Sequence, residues 1–365
     1  MKILIMGFSK IKYMPYMNFY LDNIDRVKND VHLLYWNRDM INEDLSNLDG
    51  VTLHEYRRAQ ADDVSKLSKI GSFIGYRKFA KKLLKNGDFD FVIVLHSLPG
   101  VLNFKILEKC FFNKFIFDYR DSTYEGFAPY KKIIARLVNA SCATFVSSDA
   151  FRKFLPSDKE YKIFTSHNIL ADSLNHRREK LDSGTESSKI RIAFWGFIRH
   201  EEVNRELIER IGHDNRFELH YYGREQQIAL NLKEFVKQSG FENVFFHGEY
   251  TPEQRYKFVR NTDLIHNLYR DGNTMLAMGN KYYDGVIFYL PQLCMNGSFM
   301  AEKAKKADVG FECDPSEDDF CDKVYNYYSA LDKTEFLKNC DIELEKILKE
   351  YKNGCDFING MCFGG

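Results

Sequence analysis

One stretch of this 365-residue chain brings together an amide, a cation and a carboxylate at the start of a predicted helix. The stretch is Gly279-Asn-Lys-Tyr-Tyr-Asp284, and an apolar segment with a proline follows it. Asn280 is predicted to cap the helix, Lys281 lies in its first turn, and Asp284 follows one turn later. A helix N-terminus with a cation can bind phosphate, and a carboxylate can bind ribose hydroxyls. The stretch therefore indicates a nucleotide-binding site, whereas a capped surface helix with a Lys/Asp pair is the structural alternative.

The composition restricts the partners of the chain. It contains 52 basic and 52 acidic residues, so no overall charge favours nucleic acid. Its eight cysteines include no Cys-x-x-Cys pair, which suits a reducing compartment better than a disulfide framework or a zinc site. No apolar run reaches the length of a signal-peptide core or a membrane span, so we expect a cytoplasmic protein.

Short apolar runs alternate along the chain with longer helical patterns, and these elements must position such a site. Near-continuous hydrophobicity in the runs is typical of parallel strands covered on both faces. The predicted strands are residues 2–8, 31–36, 51–56, 91–96, 115–119, 143–146, 162–165, 190–196, 217–223, 244–248, 264–267, 288–294 and 308–313. We predict a Rossmann-like domain over residues 1–172, a polar linker over 173–189, and a second such domain over 190–340. Residues 341–365 are assigned to a C-terminal tail that can return to the first domain, and the last fifteen of them give no clear period.

Three strands of the second domain each end in glycine. These glycines are Gly196, Gly223 and Gly248. Ligands of open α/β sheets bind beyond the carboxyl ends of the strands, and glycine there lets the backbone approach a phosphate or a base. A tight turn without a ligand explains any one glycine, but three in succession favour a binding edge.

With these motifs in view, the chain resembles bacterial GT-B glycosyltransferases of the family-four type, which act in capsule and O-antigen polysaccharide biosynthesis. The resemblance rests on Ile192-Ala-Phe-Trp-Gly196, Leu219-His-Tyr-Tyr-Gly223, residues 244–253, the Gly279 to Asp284 stretch, and in the first half on Gly7, Asp118-Tyr-Arg-Asp121, residues 146–148 and His167-Asn168. It implies an α/β fold with two Rossmann-like domains facing across a cleft. The second domain would bind a nucleotide-sugar, and the first an acceptor.

The resemblance also implies which residues bind the donor. They are Gly196, Gly223, Arg224, Gly248, Tyr250, Asn280 and Asp284, with Arg199 and Lys281 on the diphosphate. Many relatives carry two carboxylates eight positions apart, but here Leu276 stands at the first of these positions. Asp271 and Asn273, in the neighbouring loop, are therefore candidates for the contact with the donor sugar. Arg199 is also irregular, because relatives often place arginine directly after the glycine.

Glycosyl transfer from such a donor breaks a bond to a diphosphate. Cations and a helix N-terminus that stabilise this leaving group lower the barrier most. The resemblance implies that no metal or other cofactor is needed, because the protein supplies the positive charge, and it favours retention of the anomeric configuration. No cluster of His, Asp or Glu has ligand spacing. Asp88-Phe-Asp90, a pattern by which another glycosyltransferase fold holds its metal, precedes a strand and is interpreted as a helix-to-strand turn.

The acceptor side of the site is expected at the strand ends of the first domain. Gly7 and His96 lie at the carboxyl ends of predicted strands there, and Arg120, Asp121 and His167 follow such strands. An inverting enzyme would use Asp121 or His96 as general base, whereas the front-side retaining mechanism proposed for relatives needs none. A histidine that closes a strand and a helix N-cap are the structural alternatives for these two residues.

Residues 57–85 combine nine lysines and arginines with regularly spaced apolar residues. This basic amphipathic stretch could rest on the anionic inner leaflet of the plasma membrane and admit a lipid-linked acceptor. A solvated helix whose apolar side packs on the sheet is the alternative.

The sequence thus predicts a transferase that moves a sugar from a nucleotide donor, a UDP-sugar, to a glycan or lipid-linked oligosaccharide. Two alternatives stay open. A nucleotide-sugar epimerase of the same fold would need several carboxylates and histidines around the sugar. A non-catalytic, two-lobed ligand-binding protein belongs to a class that is usually exported.

Overall fold

The computed structural model describes residues 1–43, 45, 48–60, 66–181 and 187–362. The chain divides into two compact units, the first formed by Met1–His167 with Lys349–Gly365 and the second by Asn168–Leu348. The division therefore falls ahead of the boundary predicted at residue 172. The described part of the predicted linker belongs to the second unit, where Ser173 is buried and its hydroxyl accepts a hydrogen bond of 2.6 Å from Arg255.

The first unit is built on a seven-stranded sheet in the order β3-β2-β1-β4-β5-β6-β7, with every strand pair parallel. Its strands are β1 Lys2–Met6, β2 Asp30–Asn37, β3 Val51–Arg57, β4 Phe91–Leu95, β5 Phe115–Tyr119, β6 Ala143–Val146 and β7 Ile163–Thr165. The helices before residue 167 are α1 Asn18–Leu21, α2 Lys66–Asn86, α3 Ser97–Cys110 and α4 Ala128–Ala140. Every side chain of β4, β5 and β6 is buried, as the unbroken apolar runs predict for a sheet covered on both faces.

The second unit contains a six-stranded parallel sheet in the order β10-β9-β8-β11-β12-β13. Its strands are β8 Ile190–Trp195, β9 Phe217–Tyr222, β10 Val244–Phe246, β11 Leu264–Asn267, β12 Gln292–Met295 and β13 Gly310–Cys313. The remaining helices are α5 Glu201–Gly212, α6 Gln227–Ser239, α7 Arg255–Arg260, α8 Asn280–Ile287, α9 Phe299–Lys306, α10 Phe320–Ser329 and α11 Lys333–Cys362. Short 3₁₀ helices lie at Ile11–Tyr13, Pro15–Met17, Asp149–Phe154, Ser157–Lys162, Ala171–His176 and Pro252–Gln254.

The strand order of each sheet reverses at one point. The reversal lies between β1 and β4 in the first unit and between β8 and β11 in the second. In doubly wound sheets of this kind, ligands bind beyond the carboxyl ends of the strands at the reversal. The predicted fold class, α/β with parallel sheets in both halves, is confirmed. The topology predicts ligand sites at the residues after β1, β4, β8 and β11.

Two predicted elements differ from the structure. The strand predicted over residues 288–294 begins only at Gln292, because α8 continues to Ile287 and a turn with Tyr289 at φ +55° precedes Pro291. Residues 351–362 of the C-terminal segment without a clear period form the end of α11, and residues 363–365 lie outside the described residues. Asp88 and Asp90 lie between α2 and β4, so the helix-to-strand turn predicted for them is confirmed.

The end of α11 completes the core of the first unit. Ile358 is fully buried, and the ring of Phe357 lies 4.5 Å from that of Phe164. A Cβ on Gly354 would lie 3.1 Å from ring atoms of Phe19 and Phe145, so this glycine lets the helix approach the two rings closely. The end of α11 around Gly354, Phe357 and Ile358 therefore packs in this core and is not a surface extension.

Candidate functional site

The three predicted glycines meet at the carboxyl edge of the second sheet. The N–H of Gly196 donates to the carbonyl of Tyr222 at 2.9 Å, and that of Gly223 donates to Gly248 at 2.8 Å. A Cβ on Gly223 would lie 1.8 Å from the carbonyl oxygen of Gly196, while Gly196 and Gly248 have φ values of +129° and +78°. Backbone packing and left-handed conformations thus require glycine at these positions, whether or not a ligand binds.

Lys281 reaches this edge from α8. A Cβ on Gly196 would lie 3.7 Å from its Nζ, which also lies 4.3 Å from the ring centre of Phe194 and 5.4 Å from that of Tyr269. Within the described part of the chain, Lys281 forms no ion pair. Its ammonium is therefore held by aromatic faces beside the β8 loop, at the point where the strand order reverses.

The predicted cap of α8 is wrong in detail. Gly279 is the N-cap residue, with extended backbone, and Asn280 is the first residue of the helix. No side chain caps this helix end. The first-turn N–H groups therefore donate no hydrogen bond to a capping side chain, and such an end with a nearby cation favours an anion.

Arg199 and His200 lie in the loop after β8. Arg199 is exposed, and its guanidinium lies 5.4 Å from the ring centre of Phe197. His200 has φ +61°, and its Nδ1 lies 3.3 Å from Oδ2 of Asp271. Its Nε2 is buried and has no hydrogen-bond partner among the described residues. Burial lowers the pKa of His200, and the charges of Arg199 and Lys281 lower it further against the opposing charge of Asp271. His200 is therefore a neutral imidazole in a cationic surrounding.

The sequence does not predict His200 as a site residue, because a lone histidine after an arginine matches no motif. It does predict Asp271, whose Oδ1 accepts hydrogen bonds from the backbone N–H groups of Asn273 at 3.1 Å and Thr274 at 2.8 Å. Burial raises the pKa of Asp271, but Thr274, His200 and Asn273 together lower it more, so that its pKa lies below the ordinary value. Asp271 is thus an ionised residue that orders its own loop and faces His200. Asn273 contacts it through the hydrogen bond from its backbone N–H.

Asp284 does not present an exposed carboxylate. It is 3% exposed, its Oδ2 accepts a hydrogen bond of 2.7 Å from the indole N–H of Trp195, and its Oδ1 lies 3.7 Å from Nη1 of Arg255. Burial raises the pKa of Asp284, although Arg255 and the indole oppose the rise. The predicted ribose contact is therefore not supported by this geometry, and Asp284 serves as the buried anchor that joins α8 to β8.

Two further residues of the predicted donor site lie close to these loops. Arg224 is exposed directly after Gly223. Tyr250 is half-buried with its ring centre 5.1 Å from that of Phe258, and burial raises its pKa to about 12. Tyr250 thus lies beyond the end of β10, at the carboxyl side of the sheet.

In the first unit, the structure brings His96 and Asp121 together. His96 follows β4 with φ +78°, and its Nε2 lies 3.2 Å from Oδ2 of Asp121. Both side chains are accessible, with 22% and 47% exposed. A non-glycine residue in this backbone region is strained, and such strain is concentrated at functional sites.

The other residues predicted on the acceptor side serve the core. Arg120 is 4% exposed and donates to Asp118 at 2.9 Å beneath the ring of Tyr16, so it is not available to an acceptor. His167 lies 3.0 Å from a carboxylate oxygen of Glu350 on α11. Gly7 is buried, and its carbonyl accepts a hydrogen bond of 2.7 Å from Tyr76. The structure thus corrects the predicted acceptor-side set. Burial and hydrogen-bond partners give Arg120, His167 and Gly7 a role in packing and not in acceptor binding.

Comparison with solved structures establishes the fold. The chain superimposes on HepE from Anabaena, solved with UDP, with a TM-score of 0.67 and 12% identity over 99% of this chain and 100% of HepE. WaaG, a glycosyltransferase involved in lipopolysaccharide biosynthesis, gives 0.66 and 12% over 99% and 100%. A protein from Listeria monocytogenes described as a UDP-N-acetylglucosamine 2-epimerase gives 0.57 and 11% over 92% and 90%. No protein-family model and no curated protein matches the chain.

These likenesses define the chain as an α/β protein with the GT-B class of fold. At identities of 12% or lower they concern the fold and not the reaction. Within the described ranges, no group of three or more His, Cys, Asp or Glu side chains is arranged to hold a metal ion. No described helix is both long and apolar enough to cross a membrane.

Proposed function

We propose that this chain is a glycosyltransferase that moves a sugar from a UDP-sugar to a glycan or lipid-linked oligosaccharide acceptor in surface polysaccharide synthesis. The donor would occupy the carboxyl edge of the second sheet. As proposed, the enzyme is a hexosyltransferase that retains the anomeric configuration. It needs neither a metal nor another cofactor.

The observation that carries the proposal is the position of Lys281. Its ammonium lies beside Gly196 at the reversal of the strand order and forms no ion pair with the described residues. A diphosphate at this point would receive the charge of Lys281, the N-terminus of α8 and the exposed Arg199. These groups would stabilise the charge that develops on the leaving nucleotide, which is the main demand of glycosyl transfer.

The similar solved structures support UDP as the nucleotide of the donor. HepE was crystallised with UDP and with UDP-glucose, and WaaG is a glycosyltransferase of lipopolysaccharide biosynthesis. The pair of His96 and Asp121 would face the acceptor from the first unit. In a retaining, front-side reaction this pair would position an acceptor hydroxyl, whereas in an inverting reaction it would accept the hydroxyl proton.

The nucleotide is identified by thermal unfolding of the purified chain with UDP, GDP and CMP. We expect UDP to raise the Tm most, because a ligand that binds only the folded state stabilises it. Lys281→Gln should weaken UDP binding in calorimetry by about 10- to 100-fold, the range of one hydrogen bond to a charged group. Lys237→Gln, an exposed lysine of α6, is the matched control and should leave binding unchanged. No uptake of any nucleotide, or equal binding by both variants, contradicts the proposal.

An epimerase of the same fold is the second candidate, and the Listeria monocytogenes neighbour is the observation that favours it. The two reactions differ in their need for an acceptor. A transferase releases UDP in proportion to added acceptor glycan, whereas an epimerase changes the sugar of UDP-N-acetylglucosamine without one. Conversion of the donor without acceptor would therefore replace the transferase proposal.

A further inference from the structure

Helix α2 has two chemically distinct faces. Its buried stripe consists of Ser72, Tyr76, Ala80 and Leu84, which recur every fourth residue. The opposite stripe contains Ile70 and Ile74, which are 48% and 49% exposed. It continues with the exposed cations Arg77, Lys78, Lys81, Lys82 and Lys85. At 3.6 residues per turn these two isoleucines and five cations span an arc of about 140°.

The buried stripe fixes the helix on the first sheet. Tyr56 of β3 donates a hydrogen bond of 3.1 Å to the carbonyl of Ser72, and a Cβ on Gly75 would lie 2.2 Å from the same hydroxyl. Gly75 therefore allows a close approach of α2 to β3. Packing of the apolar side on the sheet, one of the two alternatives for this stretch, is confirmed, but it does not use the exposed isoleucines.

The charge of the exposed stripe is not compensated. All seven ionisable residues within Lys66–Asn86, other than Tyr76, are lysine or arginine. None of the five exposed cations forms an ion pair with a described residue. On α10, by contrast, Lys323 lies 2.7 Å from Glu317 and 3.0 Å from Asp319. In a chain with equal numbers of basic and acidic residues, α2 thus concentrates positive charge on one surface.

We propose that this stripe of α2 binds an anionic lipid bilayer. The cations would lie at the level of the phosphate groups, and Ile70 and Ile74 would enter the boundary of the acyl chains. Each lysine or arginine near such a surface contributes on the order of 1 kcal/mol, so that several together hold a protein at the membrane. A nucleic-acid backbone would satisfy the cations but would leave both isoleucines in water, which favours lipid as the partner.

The helix is also connected to the ligand edge of its sheet. The hydroxyl of Tyr76 donates to the carbonyl of Gly7, the residue that follows β1 at the reversal of the strand order. A membrane-bound α2 would therefore lie next to the loop at which an acceptor is expected. This last consequence rests on the proposed function, whereas lipid binding by α2 does not.

The test is sedimentation of the full chain with vesicles. Wild-type protein is mixed at about 0.05 M salt with vesicles of phosphatidylcholine containing one quarter phosphatidylglycerol, and with pure phosphatidylcholine vesicles. We expect binding to the anionic vesicles alone and its loss at about 0.5 M salt, where surface charges are screened. The double variant Lys78→Gln with Lys82→Gln should reduce the partition coefficient about 30-fold, since two lysines are removed.

The matched control replaces Lys131 and Lys132, two exposed lysines of α4 in the same unit, by glutamine. It should bind like the wild type. Ile70→Ser with Ile74→Ser should weaken binding at every salt concentration, because an apolar contribution is not screened. Each variant should keep the UDP affinity of the wild type, so that loss of lipid binding and failure of the proposed function are separate results.

Three outcomes would overturn the inference. They are absence of wild-type binding to anionic vesicles at low salt, equal losses in the α2 and α4 variants, and salt-sensitive binding to single-stranded DNA in preference to the vesicles. The last outcome would identify nucleic acid as the partner of the same cations.

Discussion

Nδ1 of His200 lies 3.3 Å from Oδ2 of Asp271, and this contact joins the loop after β8 to the loop after β11. The two strands are neighbours at the reversal of the sheet, so the pair stands where a donor sugar is expected. Because Asp271 is ionised and the imidazole is neutral, Nδ1 carries the proton and Nε2 carries a lone pair. The carboxylate and this lone pair are hydrogen-bond acceptors that suit sugar hydroxyls.

We expect Asp271→Ala to weaken binding of UDP-glucose, or of the UDP-sugar that stabilises the chain most, by about tenfold, the effect of one lost hydrogen bond. Binding of UDP should not change, because UDP lacks the sugar. Calorimetry with both ligands measures the difference. Equal losses for UDP and the UDP-sugar would show that Asp271 serves only the fold of its loop, and no loss would remove Asp271 from the site.

Two glycine substitutions separate backbone crowding from backbone conformation. Gly223→Ala places a Cβ 1.8 Å from the carbonyl of Gly196, whereas Gly248→Ala meets open space at φ +78°. We expect Gly248→Ala to cost about 1 kcal/mol and Gly223→Ala to cost more than about 3 kcal/mol, since the backbone itself must move. Urea unfolding of the two variants tests the order. A smaller cost for Gly223→Ala would contradict the close packing of these loops.

Two substitutions of Asp284 separate the loss of a hydrogen-bond acceptor from the loss of a charge. Asp284→Ala leaves the indole N–H of Trp195 buried without an acceptor and should destabilise the chain by about 1–3 kcal/mol. Asp284→Asn keeps an acceptor oxygen and removes a carboxylate whose pKa burial raises, so its cost at neutral pH should be smaller. Urea unfolding near pH 7 compares the variants. An equal loss in both would show that the charge itself stabilises this buried contact.

The stability of the second unit should fall in mild acid. His266 is 1% exposed, neither of its ring nitrogens has a hydrogen-bond partner among the described residues, and burial lowers its pKa to about 3. The unfolded chain therefore binds the proton more readily below the ordinary pKa of about 6.5, and stability is lost as pH falls from there toward 3. The slope from this residue is about 1.4 kcal/mol per pH unit.

We expect His266→Phe to remove that part of the slope, because phenylalanine can retain the stacking on Phe194 without a titrating group. Unfolding in urea at about pH 7.5 and about pH 5.5 measures the slope. His200, His220 and His247 of the same unit, whose pKa values burial also lowers, should leave a residual slope of the same sign. An unchanged slope in the variant would mean that His266 is not the proton acceptor.

The strands and the glycine-rich edge could be predicted from the sequence because both depend on local pattern. Apolar runs of four to eight residues are typical of covered parallel strands, and Gly196, Gly223 and Gly248 each end such a run. The N-cap of α8 lies one residue before the position that the sequence predicts, because Gly279 takes the extended conformation expected of Asn280. A boundary error of this size is normal for helix ends.

The burial of predicted site residues could not be read from the sequence. Arg120 and His167 follow strands, and Asp284 lies one turn into α8, so the sequence places all three where a ligand could bind. In the fold their partners are instead Asp118, Glu350 and Trp195. These partners lie between 2 and 183 positions away along the chain, so no local pattern reveals all of them. For the same reason the contact of His200 with Asp271 emerged only from the structure.

The approach of Gly354 to Phe19 and Phe145 has a consequence for synthesis on the ribosome. Strand β1 and both phenylalanines are made before α11, whose residues cover these rings. The first sheet must therefore wait, with part of its apolar interior uncovered, until α11 has been made. An expression fragment that stops at residue 167 would keep those rings in contact with water and should aggregate, whereas supplying the segment from residue 349 onward as a separate peptide should rescue it.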